Sequence, residues 1–198
     1  MAVEPPNFGY SEESLRKSNL IAHLAHLRTS GTIVRSSPYL IRRLLRRIDF
    51  ARARTVVQLG IGTGCITREL LRRLRPDARL ISVEVNEVFV RDCHRIHDPR
   101  LVVRHACAGS LRQLLDELEL DRIDHVVSSL PLAIMDSALV ERILAMSKSC
   151  LAPDGLFLQY QYSLSQRAAL ERCFGDVRVG FTLANIPPAF VYECSLAR

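Results

Sequence analysis

The run Thr55-Val56-Val57-Gln58-Leu59 leads straight into Gly60-Ile61-Gly62-Thr63-Gly64 and then into Cys65-Ile66-Thr67, the start of a helix-like segment. An apolar, β-branched run followed by alternate glycines and a helix reads as strand, tight loop and helix. Glycine permits φ values that other residues avoid and lets a ligand lie close to the backbone. The N-terminus of the following helix offers N–H groups to that ligand. A nucleotide-like cofactor is the first expectation. The dinucleotide fingerprint G-x-G-x-x-G/A is not met, because Cys65 stands at its sixth position. An acid, Glu84, ends a second apolar run about twenty residues on, where a two-oxygen acceptor suits both hydroxyls of a ribose.

The rest of the chain repeats the alternation. A helix is expected from Ser11 to about Arg28, with Ser11 as its cap and Leu15, Leu20, Ile21, Leu24 and Leu27 on one side. A second starts at Pro38 behind Ser36 or Ser37. It sets Leu40, Ile41, Leu44, Leu45 and Ile48 against a face of Arg42, Arg43, Arg46 and Arg47. Beyond the glycine loop the pattern predicts helix 66–74, strand 79–84, helix 87–96, strand 101–105, helix 111–118, strand 123–129 and helix 137–150. A turn at Ala152-Pro153-Asp154-Gly155 then precedes strand 156–162, helix 165–174 and two final strands near 177–182 and 189–196. Strands alternating with helices and a closing strand pair mean an α/β sandwich, Rossmann-like, on a mostly parallel seven-stranded sheet with a C-terminal antiparallel strand. Residues 1–50 read as N-terminal helices of the same domain and 51–198 as its ligand-binding core.

Composition narrows the classes. At 198 residues the chain suits one domain that needs neither disulfides nor metals to hold its core. Six cysteines without C-x-x-C spacing read as reduced thiols of a cytosolic protein, and no metal site is expected. No segment is long and apolar enough to span a bilayer, so any membrane contact is peripheral. The net charge of +6 is uneven: up to Arg75 fourteen Lys/Arg face five acids, whereas the remainder has 13 against 16. A basic N-terminal zone rich in arginine suits phosphate, in nucleic acid or in anionic lipid headgroups.

In a doubly wound sheet ligands bind beyond the C-terminal ends of the strands. Those loops carry Gly60 to Gly64, Glu84, Ala106-Cys107-Ala108 and Ser128-Ser129-Leu130-Pro131. The glycine spacing with Glu84 resembles the S-adenosylmethionine loop of class I methyltransferases. Val34-Arg35-Ser36-Ser37-Pro38-Tyr39-Leu40, Ser128-Ser129-Leu130-Pro131, Phe157-Leu158-Gln159-Tyr160-Gln161-Tyr162 and Asn185-Ile186-Pro187-Pro188-Ala189 are similar, in order, to the signature blocks of bacterial phospholipid N-methyltransferases. These enzymes take phosphatidylethanolamine towards phosphatidylcholine.

That resemblance implies S-adenosylmethionine held by Gly60, Gly62, Gly64, Glu84, Val85, Cys107, Ala108, Ser128, Ser36 and Ser37. It implies an acceptor amine at Ser129, Leu130 and Pro131, with Tyr162 and Tyr39 available to a methylated ammonium. It implies a phospholipid substrate and a cytoplasmic protein peripheral to the inner face of the membrane. Docking there would use the N-terminal helix and Arg42, Arg43, Arg46 and Arg47 on an anionic surface. Three departures accompany it: Cys107 stands where the class usually has an acid, Ser129 where the family often has Gly, and Arg35 where it often has Pro. Ribosomal-RNA adenine dimethyltransferases share the glycine loop. Ser129 and Leu132 stand where those enzymes place an amide acceptor and a stacking ring, which makes nucleic acid the weaker acceptor. A methyltransferase of RNA or of a small molecule, and a non-catalytic binding protein of the same fold, remain the alternatives.

Overall fold

The computed structural model describes residues 36–196, so the helix expected from Ser11 to Arg28 lies outside the described residues. In chain order the elements are α1 (Pro38–Leu44), β1 (Thr55–Leu59), α2 (Cys65–Arg73), β2 (Arg79–Glu84), α3 (Glu87–His94) and β3 (Leu101–His105). There follow α4 (Leu111–Glu117), β4 (Ile123–Ser128), α5 (Ser137–Cys150), β5 (Leu151–Gln161), α6 (Arg167–Phe174), β6 (Gly175–Thr182) and β7 (Ala189–Leu196). The strands form one sheet in the order β3-β2-β1-β4-β5-β7-β6. β1 to β5 pair in parallel, and β7 runs antiparallel to both its neighbours. The expected Rossmann-like sheet is therefore what forms. Its direction of winding reverses between β1 and β4, which puts the ligand crevice beyond the ends of those two strands.

Alternate residues of each strand feed opposite layers. Val57, Leu59, Ile81, Val83, Val126 and Phe157 pack with Leu114, Leu139, Ile143 and Phe174 on one face. Val56, Leu80, Val127 and Leu158 pack with Leu40, Leu44, Ile66 and Leu70 on the other. Burial on both faces is why these strands read as near-continuous apolar runs rather than as alternating ones. Short polar residues start the helices: Ser37, Asn86 and Asp136 each accept the N–H of a first-turn residue, Leu40, Val88 and Leu139.

Two expectations change. The turn at Ala152-Pro153-Asp154-Gly155 is part of β5. Ile123 pairs with Leu151 and His125 with Leu156, so four residues bulge out opposite a single one. Gly155 makes the bulge possible, since a Cβ there would lie 2.8 Å from the Ala152 carbonyl and 2.9 Å from that of Asp124.

The second change concerns the arginines. The helix that was to carry all four stops at Leu44, and the chain turns so that Leu45 and Ile48 stay in the core. Arg46 then grips the buried Glu193 of β7 with two bonds, Nε at 2.6 Å and Nη2 at 3.1 Å. Arg47 lies 3.9 Å from the same carboxylate, and the Arg43 guanidinium rests against Gly180. Of the expected open arginine face, Arg42 and Arg46 remain exposed: Arg46 is bonded to Glu193, and Arg42 lies 4.9 Å above the Tyr39 ring. A buried carboxylate on β7 demanded partners, and α1 lies against β7.

Arg46→Ala should therefore cost about 1–3 kcal/mol, because it leaves a desolvated carboxylate short of donors. Thermal unfolding should register a loss of about 3–10 °C, and an unchanged midpoint would show that Arg47 alone satisfies Glu193. His125 on β4 gives a pH signature. Burial lowers the pKa of its imidazole below the ordinary value, against the pull of Asp124 and Asp49. The unfolded chain accordingly takes the proton first. The stabilisation from neutral His125 is complete above the unfolded pKa of about 6.5 and is lost as pH falls through that value towards the lower folded one. The drop in stability from about pH 7.5 to about pH 5.5 should be shallower in His125→Leu than in the parent chain; parallel denaturant curves at both pH values for the two proteins would refute this.

Candidate functional site

The glycine loop sits where β1 ends, and each of its glycines takes a left-handed backbone, with φ of 80° at Gly60, 52° at Gly62 and 73° at Gly64. The close approach is real at Gly60, where a Cβ would stand 3.0 Å from Ser129 Oγ. At Gly62 a Cβ would meet nothing within 4 Å, so that side of the loop is open. Gly64 is the N-cap of α2 and leaves that helix's first N–H groups without a side-chain cap. An open loop edge beside uncapped helix N–H groups fits a polar, nucleotide-like cofactor.

Glu84 ties this loop to the end of β2. One carboxylate oxygen accepts from the N–H groups of Ile61, at 2.8 Å, and Gly62, at 3.2 Å. The other accepts from Val85, at 2.9 Å, and Asn86, at 3.0 Å. A carboxylate has about four lone-pair positions, and here four N–H groups meet it. Glu84, expected as a ribose acceptor, is thus the organiser of the loop, its carboxylate taken up by backbone N–H groups of both strand ends. Val85 contributes its carbonyl, 2.8 Å from His105 Nε2, which joins the ends of β2 and β3. Cys107 begins the 3-10 turn Ala108–Ser110, and its side chain packs with Ala108 against the core. It presents no acidic acceptor.

After β4, Ser129 Oγ donates to the Gly60 carbonyl at 3.0 Å, and Ser128 Oγ accepts the Leu130 N–H at 3.3 Å. The Leu130 carbonyl was expected to face an acceptor amine. It instead takes three internal donors: Leu132 N at 2.9 Å, Gln159 Nε2 at 3.0 Å and Gln161 Nε2 at 2.8 Å. The Pro131 carbonyl accepts from Ile134 N at 3.1 Å. The block is a braced wall, because buried carbonyls that have met donors gain nothing by turning to a ligand.

Sequence reasoning missed three glutamines. Gln58, buried in β1, donates to the Gly60 carbonyl and accepts from Thr67 and Ser82, while Gln159 and Gln161 clamp Leu130. Their signal was available, since an amide inside an apolar strand needs a buried partner.

The remaining site residues meet on a second wall. Ser37 N–H donates to Asn185 Oδ1 at 2.9 Å and Ser37 Oγ to the Ala184 carbonyl at 2.5 Å. Ser36 Oγ donates to the hydroxyl of Tyr160 at 3.2 Å, and the Tyr160 ring lies edge-on to Tyr162 at 5.8 Å. Tyr39 stands apart from these rings under the Arg42 guanidinium. A cleft of about 970 Å³ opens between the start of α1 and the start of α2, lined by Ser36 and Ser37 of the second wall, by Thr63 and Cys65 and by Arg42, Arg68 and Arg72. Arg68 donates to the Thr63 carbonyl at 3.1 Å on the loop side of the cleft. Glu69 also lines the cleft, and hydrogen bonds from Arg72 and Arg73 hold its carboxyl down to about 2. No His/Cys/Asp/Glu cluster able to hold a metal occurs among the described residues.

Comparison with known proteins agrees with this geometry. Residues 56–155 match the methyltransferase domain family. The chain is 33% identical over 167 residues to the ornithine lipid N-methyltransferase of Singulisphaera acidiphila, covering 83% of this chain and 87% of that protein. Among solved structures it is similar in fold to a precorrin-6y C5,15-methyltransferase from Geobacter metallireducens, with a TM-score of 0.66 at 16% identity over 83% of this chain and 91% of that one. It is also similar to the O-methyltransferase TomG of Streptomyces achromogenes, solved in complex with SAM, with a TM-score of 0.64 at 12% identity over 92% of each chain. The family match covers the strands and loops that build the glycine cradle, and the similarity to the relative extends over most of both chains: the chain belongs to the class I methyltransferases, with S-adenosylmethionine as its cofactor.

Proposed function

We propose that the chain methylates the amine of a lipid headgroup. The similarity to an ornithine lipid N-methyltransferase over most of both chains carries this reading, and the arginine-lined cleft beside the glycine loop supports it. Ornithine lipids and phosphatidylethanolamine share one chemistry, an amine on a short tether from an anion. Planar guanidinium groups such as Arg42 and Arg68 suit a carboxylate or a phosphate equally.

S-adenosylmethionine supplies an electrophilic methyl carbon when bound. The chain's own residues do the rest. Gly60 to Gly64 and Glu84 hold the cofactor's position, and Ser129, through Gly60, fixes the β4 wall against it. Gln159 and Gln161 keep that wall from moving, so an amine whose anion is held in the cleft approaches one fixed line of attack. Tyr162, half-buried and braced edge-on by the core residue Tyr160, gives the second wall an aromatic ring for the charge that appears on nitrogen. The finer form of the reading is stepwise methylation of phosphatidylethanolamine towards phosphatidylcholine. The reading also places the protein at the inner face of the membrane, attached through the basic N-terminal part of the chain and Arg42. Arg46 and Arg47 are engaged with Glu193 within the fold.

Purified protein incubated with labelled S-adenosylmethionine and vesicles holding either ornithine lipid or phosphatidylethanolamine should label one of the two; transfer to neither overturns the reading. Glu84→Gln turns one acceptor oxygen into a donor that faces two N–H groups. It should weaken S-adenosylmethionine binding in calorimetry by about ten- to a hundredfold, the loss of one or two charge-assisted bonds. Unaltered affinity would assign Glu84 to folding alone.

A further inference from the structure

The most exposed large apolar side chains among the described residues are Ile186 at 87%, Leu183 at 75% and Tyr39 at 61%. They come from distant parts of the chain and meet at one edge, because Ser37 bonds to both Ala184 and Asn185 in the loop between β6 and β7. Asn185 is buried there, and its amide donates to the Pro187 carbonyl at 2.8 Å. The loop is therefore tied down from within while Leu183 and Ile186 stay in solvent. Phe181, also exposed, continues the patch against Phe190, with ring centroids 4.9 Å apart. No charged residue occurs between Arg178 and Glu193. Loop tips are ordinarily polar, and a contiguous apolar patch on a tip marks a surface that is covered in use.

The chemistry of the rim selects the partner. Arg42 is exposed over the Tyr39 ring, and the Arg43 guanidinium rests on Gly180, one residue from Phe181. Aliphatic tips beside a tyrosine and arginines match the boundary of an anionic bilayer. There acyl chains take the tips, the headgroup layer takes the amphipathic ring, and anionic lipids attract the guanidinium groups.

We propose that the β6–β7 loop, with Tyr39 and Arg42, is the surface that docks on an anionic lipid bilayer. This rests on the lipid-headgroup reading and extends it, since Ser37, which anchors the loop, also lines the cleft. Docking by this edge brings the mouth of the cleft to headgroup level.

The chain contains no tryptophan, so Leu183→Trp in the full chain is a single reporter. With vesicles of phosphatidylcholine and phosphatidylglycerol, neither of which carries a methylatable amine, its emission should shift to the blue and be quenched by brominated acyl chains. Leu183→Asp combined with Ile186→Asp should lower vesicle binding by about tenfold or more with an unchanged thermal midpoint. Binding that survives the double substitution, a reporter that stays at its solvent value while the protein sediments with vesicles, or a parent chain that does not bind them would each overturn the proposal. So would a blue shift that grows with protein concentration without lipid, which would assign the patch to a second copy of the chain. Docking without lipid methylation would leave this surface standing and remove the acceptor reading. Methylation of dispersed lipid without docking would do the reverse.

Discussion

A tight loop at the end of a strand must be held by more than its own backbone ladder, and here a carboxylate takes up its N–H groups. Glu84 receives N–H groups from Ile61 and Gly62 on one side and from Val85 and Asn86 on the other. The end of β1 and the end of β2 are thereby joined through one side chain. The joint extends outward: the Ala106 N–H reaches the Glu84 carbonyl at 3.1 Å, and the Ser129 N–H reaches the Leu59 carbonyl at 2.9 Å. Each of the four strands that border the crevice is tied to its neighbour just beyond its last paired residue. The energy of the arrangement lies in charge-assisted bonds in a nearly dry place, which are stronger than their exposed counterparts and costly to leave half made.

Buried amides extend the same logic to the far wall. Gln58, Gln159 and Gln161 lie inside an otherwise apolar sheet, where an unpaired amide costs more than an apolar side chain of the same size. They repay the chain by fixing carbonyls: Gln58 that of Gly60, the other two that of Leu130. Ser129, which stands where the resembling family often has Gly, joins the two sets through Gly60. One hydroxyl thus couples the cofactor loop to the β4 wall.

The central strands were legible from sequence because they are buried on both faces, as in β2, and the partly buried edge strand β3 because of its apolar run Leu101-Val102-Val103. α5, with Asp136 as its cap, is equally plain. What stayed hidden depends on contacts between distant residues. Nothing local tells that Glu193 draws Arg46 and Arg47 inward, or that the carbonyl of Leu130 is claimed by two side chains from β5. The fusion of residues 152–155 into β5 follows from pairing with β4, which Pro153 and Gly155 conceal. Ser36-Ser37-Pro38 and Asn185-Ile186-Pro187-Pro188 were singled out as blocks, but only the fold shows that they bond to one another.

The arginine content has a structural cause. Arg100, at the start of β3, donates to the carbonyls of Leu71, Leu74 and Arg75, the orphan acceptors where α2 ends. Arg122 does the same for Ser149 and Leu151 at the end of α5. Arg112 closes the turn after α4 through the carbonyls of Leu120 and Asp121. A five-donor fork serves several carbonyls at once and keeps a positive charge at a helix C-terminus, where the macrodipole favours it; a lysine reaches fewer acceptors. These side chains therefore serve the fold as well as adding to the net charge. In the cleft beside the glycine loop the guanidinium groups are those of Arg42, Arg68 and Arg72, of which Arg72 is shared with Glu69.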